Sequence, residues 1–116
     1  MFKNRKKTIP KTLDEAVEYV FERTENIKEI NLHDQRYMRW IRNTLDLWNK
    51  NSKLAKFFES KYGIGHADDM SYMVQKGLQH KIDGVYFADD WKEIEAKNLR
   101  DYWGTRGINP LTGNRL

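Results

Sequence analysis

Cysteine is absent from this chain, and proline occurs only twice. The first absence removes disulfides, thiolate nucleophiles and cysteine-ligated zinc, while leaving the redox compartment open. The second leaves helices free to run, since Pro10 and Pro110 both lie near an end. No apolar run approaches the roughly 20 residues that a membrane-spanning helix needs, and the first residues lack the apolar segment of a signal peptide. The expectation is a chain that does not enter a membrane and works in the cytoplasm.

Acids are missing from both ends. Residues 1–11 carry Lys3, Arg5, Lys6, Lys7 and Lys11, and residues 104–116 carry Arg106 and Arg115, with no Asp or Glu in either stretch. Those seven charges exceed the net +4 of the whole chain, so residues 12–103 hold the other 14 basic residues with all 17 acids and are net negative by three. A basic domain face for nucleic acid is therefore not implied, although the arm itself is a candidate phosphate-neutralising segment.

What remains is a chain of 116 residues, 39% hydrophobic and 13% aromatic, enough for one domain with one aromatic-rich core. We divide it into a basic arm (1–11), a helical domain (12–103) and an irregular tail (104–116). The segment Thr12-Leu13-Asp14-Glu15 has the form of a capping box, opening a helix over about 13–24 with Leu13, Ala16, Val17, Val20 and Phe21 inward and an acidic outer face. The segment 25–31 either extends that helix or forms a separate turn. A second helix is expected over about 34–49, with Met38, Ile41, Leu45 and Trp48 on one arc.

Its arginines read first as a solvated face pairing with neighbouring acids. The sharper reading makes Arg36, Arg39, Trp40 and Arg42 a partner-binding stripe, since arginine beside an aromatic is the composition of protein hot spots. A third helix over 53–61 ends at Gly63, and a fourth starts near Ala67 with Met70, Met73, Val74 and Leu78 inward and Gly77 as a close-approach point. Asp68 and Asp69 fall in its first turn, where carboxylates complement the positive end of the helix. His33 is expected buried or half-buried, and His80 at the surface near a helix end. Asp90-Trp91-Lys92-Glu93 has the form of a second capping box for a fifth helix to about Trp103, with Trp91, Ile94, Leu99 and Tyr102 on its apolar side and a Glu93–Lys97 ion pair. The tail is non-helical, with turns at Asn109-Pro110 and Thr112-Gly113, and Ile108 and Leu111 give it two anchors.

The segments IPKTLDEAVEYV, LH, MRWIRNTLDLWNKNSKLAKFF and GIGHADDMSYMV together resemble a small bacterial and phage family known as a domain of unknown function, over about residues 9–79. The matching positions are Pro10, His33, Ile41, Arg42, Asn43, Trp48, His66, Asp68, Asp69, Met70 and Ser71. Ala67 stands where that family often has proline, and DQRYMRW replaces a glycine-containing approach to the helix. The resemblance implies the fold and the choice of residues, and carries no activity with it. It directs attention to one geometry. If the second and fourth helices are neighbours, Arg42 and Asn43 meet Asp68 and Asp69, either as an ion-pair network or as a polar pocket with His33 and His66; the network is preferred, because an arginine opposite carboxylates pairs without any ligand.

No complete catalytic signature occurs in the chain. The expectation is an all-α domain of about five helices that acts as a non-enzymatic interaction protein, a phage or accessory bacterial factor with a protein partner, no cofactor and no metal. The oligomeric state is left open. The alternatives are nucleic-acid association through the basic arm, and a small-ligand or metal-dependent site at His33, Arg42, His66, Asp68 and Asp69.

Overall fold

A computed structural model describes residues 9–87 and 90–116; Lys3, Arg5, Lys6 and Lys7 of the basic arm lie outside the described residues. Among the described residues there are five α-helices and no strand: α1 (Leu13–Arg23), α2 (Gln35–Thr44), α3 (Lys53–Phe57), α4 (Ala67–Ile82) and α5 (Trp91–Gly104). None of them is long and apolar enough to cross a membrane. The all-α expectation holds. At the centre lies α4, flanked by α1 and α2 and covered by α5.

Each boundary has a local cause. Thr12 caps α1 by accepting the Glu15 amide at 3.2 Å, and the Glu15 carboxylate reaches back to the Lys11 amide at 2.8 Å, so the box closes one residue earlier than its usual form. Leu13, Ala16, Val17 and Val20 form its buried side. The segment after it is a separate turn, with a single 3-10 turn over Ile27–Glu29 and Ile27 buried.

The second helix stops at Thr44, five residues short of the sequence expectation. Asp46 adopts a left-handed conformation (φ +55°), its amide bonds the Asn43 carbonyl at 3.2 Å, and the Leu47 amide bonds the Arg42 carbonyl at 2.9 Å. This is a Schellman stop with aspartate in the position usually held by glycine. Leu45 and Leu47 turn inward as a result, and Trp48, expected on the core arc, is 56% exposed.

Ser52 caps α3 through the Ala55 amide at 3.1 Å. The helix passes into a π-helical turn over Phe58–Tyr62, which Gly63 ends at φ +71°. Phe58 and Tyr62 are buried there. In α4, Gly77 marks the tightest crossing: a Cβ there would lie 2.6 Å from Val17 Cγ2 and 3.2 Å from the Trp91 ring. The sequence expectation of a close approach at Gly77 is met by α1 on one side and the start of α5 on the other.

Several expectations for the C-terminal part are corrected. Asp90 makes no side-chain capping bond to α5; the helix start is held instead by the Trp91 indole, which is buried and donates to the Tyr86 carbonyl at 3.0 Å. Ile94 and Tyr102 are 56% and 46% exposed rather than packed. Lys97 pairs with Asp101 at 2.7 Å rather than with Glu93. His80 is half-buried, with its ring 4.7 Å from that of Trp91. The tail is ordered by its own turns: Asn109 accepts the Leu111 amide at 2.8 Å, Thr112 accepts the Asn114 amide at 3.1 Å, and Ile108 and Arg115 form an antiparallel bridge. It docks where the Gly65 amide donates to the Pro110 carbonyl at 3.1 Å, and a Cβ at Gly65 would run into the Leu111 carbonyl.

Candidate interaction face on the second helix

Because α2 is short, its two long sides have separate fates. Positions 36, 39, 40 and 43 are spaced i, i+3, i+4, i+7 and therefore share one stripe. Arg36, Arg39, Trp40 and Asn43 are all exposed. The Arg36 side chain is 87% exposed, and its one ion pair among the described residues is with Asp34, the helix cap, at 3.4 Å. That guanidinium holds the Asp34 carboxyl below its ordinary range, first through their side-chain hydrogen bond and then through the Arg36 amide. Arg39 has no ion pair among the described residues. Trp40 stacks on Tyr37 at 5.6 Å and 22° and remains 36% exposed. Tyr37 is itself anchored to Thr24 at 2.9 Å, so the indole rests on a fixed ring. Burial pushes the Tyr37 hydroxyl up, so it stays neutral and serves as a hydrogen-bonding group.

The other side of α2 faces α4. Arg42, whose side chain is 14% exposed, lies with Nε 3.5 Å from the Asp68 carboxylate and donates from a terminal nitrogen to the Ser71 hydroxyl at 3.2 Å. Its Nε has no aligned hydrogen bond, so the contact with Asp68 is one of charge. Ser71 in turn donates to the Asp68 carbonyl at 2.9 Å, which closes a small polar seam between the helices.

At the start of α4 the roles are distributed differently from the sequence expectation. His66 is the N-cap, its Nδ1 accepting the Asp68 amide at 3.0 Å. The Asp68 carboxylate is thereby released toward Arg42, with His66 3.9 Å away. Asp69 is buried and accepts the Trp103 indole N–H at 2.7 Å. Burial pushes the Asp69 carboxyl above its ordinary range, against the Trp103 bond and the neighbouring His66, which pull it down. The His66 ring lies between Trp48 (5.9 Å, edge-on) and Trp103 (6.4 Å, stacked).

The structure thus brings together Arg42, Asp68 and His66, adds Ser71 and Trp103, and ties Asp69 to α5 rather than to Arg42. It does not bring in His33 or Asn43. His33 is exposed in the loop before α2, correcting its expected burial, and its amide bonds Asn31 at 2.9 Å. Asn43 lies on the outer stripe. Lys11, from the basic arm, is exposed and its amide is engaged by Glu15. Trp103 was not among the expected site residues, because its partner lies 34 positions away and no local spacing announces such a bond. A cavity of about 240 Å³ lies beside the α4 start, lined by Lys50, His66, Trp103, Ile108, Pro110 and Leu111. Arg42, Asp68 and Asp69 do not line it. Among the described residues no group of three or more His, Asp or Glu side chains is arranged to hold a metal ion.

Comparison with curated proteins returns no match, and neither does comparison with solved structures. A family model described as "Domain of unknown function (DUF6794)" matches residues 9–82, a stretch that contains α1 to α4 entire and stops at the last residue of α4, leaving α5 and the tail outside it. With well over half of its length matched, the chain belongs to the DUF6794 family.

Proposed function

We propose that this chain is a non-enzymatic interaction protein that holds a partner protein against the outer stripe of α2, through Arg36, Arg39 and Trp40 with Asn43 at the end. The observation that carries the reading is the pairing of an exposed indole, seated on an anchored tyrosine, with an arginine that has no counter-ion among the described residues. Tryptophan and arginine are the side chains most enriched where a few residues supply most of an interface's energy. Arg42 leaves the stripe and becomes the bracket between α2 and α4. With the reading go a cytoplasmic setting and an origin as a phage or accessory bacterial factor; the resemblance over residues 9–79 supports the origin.

The test is affinity capture from a bacterial lysate with the intact chain and with Arg39→Ala and Trp40→Ala. The reading expects one protein at stoichiometric yield with the intact chain and a large loss with either variant, both melting at the intact chain's temperature. Nucleic acid recovered in its place, released by moderate salt and lost on removing residues 1–11, overturns it in favour of the basic arm.

A further inference from the structure

Resting on the interaction reading above, we infer that the segment docking on α2 is an acidic stretch of protein, with two carboxylates within one helical turn and a bulky apolar side chain beside them. The charge on the stripe is all of one sign. Arg36 and Arg39 sit one turn apart, a rise of about 4.5 Å along the axis, and among the described residues the one carboxylate paired with either is that of Asp34, at 3.4 Å from Arg36. The one other arginine of α2, Arg42, is matched by Asp68 and withdrawn from the surface. Guanidinium groups with free donor edges take carboxylates in paired hydrogen bonds. Trp40 offers a flat apolar surface beside Arg36 on the same stripe, which calls for a hydrocarbon side chain in the partner rather than a third charge.

Two other occupants compete for the stripe. In a second copy of this chain the acids of α1 are mostly engaged, Asp14 by Lys92 at 2.7 Å, Glu18 by Lys81 at 3.0 Å and Glu15 by the Lys11 amide, while Asp90, Glu93 and Ile94 at the start of α5 are exposed and carry the same chemistry, so shifts on concentrating the chain alone would reassign the stripe to self-association. A nucleic-acid backbone needs a longer run of cations than two arginines on one turn, and residues 12–103 are net negative. A short acidic peptide segment needs only what the stripe provides.

The test uses the whole chain and a synthetic helical peptide with Glu at i and i+3 and Leu at i+4, its Gln-for-Glu twin, and a short DNA duplex, read by amide and indole N–H chemical shifts. The Glu peptide is expected to move the signals of residues 36–43, including the Trp40 indole, with affinity falling about tenfold in Arg39→Ala. Arg39→Glu is expected to lose the Glu peptide and gain its Lys-for-Glu counterpart, with the melting temperature unchanged as proof of folding. Equal binding of the Gln twin, a stronger response of the same residues to the duplex, or shifts that appear on concentrating the chain alone would each overturn the acidic assignment. If Arg39→Ala also loses the captured protein while the Gln twin binds as well as the Glu peptide, only the acidic assignment falls; if capture is unchanged in Arg39→Ala, the interaction reading falls with it.

Discussion

Arg39 and Arg42 stand one turn apart on the same helix and do opposite things. Arg42 lies in the seam between α2 and α4, with its charge against Asp68 and a hydrogen bond to Ser71; Arg39 stands in solvent with no ion pair among the described residues. The difference lies in what faces each residue, not in residue type. A position turned toward α4 finds a carboxylate and a hydroxyl waiting, so its charge is spent on holding the helices. A position turned outward keeps its charge in solvent. The start of α4 belongs with the seam: His66 caps, Asp68 pairs and Asp69 anchors Trp103, so each of the family-like polar residues there has an internal task.

Substitution tests that contrast, and the seam is expected to respond most. Asp69→Ala leaves the Trp103 indole without its acceptor and should cost about 1–3 kcal/mol, measured by denaturant unfolding. Asp69→Asn keeps an acceptor oxygen and removes a buried charge. Since burial raises the Asp69 carboxyl in the folded state, its contribution to stability is full below the ordinary carboxylate value and is lost as pH rises through the folded value. The Asn variant should therefore gain on the intact chain as pH is raised toward neutrality. Next comes Arg42→Ala, which removes the Ser71 bond and leaves Asp68 unpaired; a loss of about 1–2 kcal/mol is expected.

A smaller, acid-dependent effect is expected from Asp14. Burial pushes its carboxyl up, but bonds from Lys92 and Tyr86 outweigh burial and hold it below its ordinary value. Its contribution is present above the unfolded value and lost as pH falls through the folded one. Asp14→Asn should thus flatten the acid limb of a stability–pH curve and leave the limb near neutrality alone. Least of all should follow from Arg39→Ala, an exposed change expected to stay within about 0.5 kcal/mol of the intact chain.

Most of the helical pattern could be read from the sequence, because capping residues and apolar spacing act locally. Thr12, Ser52 and Gly63 mark boundaries by their own chemistry. The end of α2 could not be read in that way. Asp46 stops the helix in a left-handed conformation without the glycine that usually signals such a stop, and the apolar period runs on through Leu45 and Trp48 as though nothing intervened. That period places Trp48 in the core, whereas the residue is exposed. The meeting of Arg42 with Asp68 is legible if α2 and α4 are neighbours, since charge complementarity survives an error of a residue or two. The division of labour between Asp68 and Asp69 is not, because it depends on His66 capping the helix and on Trp103 arriving from α5.

The separate roles of Arg39 and Arg42 are tested most directly by one paired measurement: thermal melting and partner capture on Arg39→Ala and Arg42→Ala side by side. The expected pattern is crossed, with Arg42→Ala melting earlier and still capturing the partner when folded, and Arg39→Ala melting as the intact chain does and losing it. Capture retained by Arg39→Ala, or lost in Arg42→Ala with no change in melting, would contradict the assignment of the outer stripe as the interaction face.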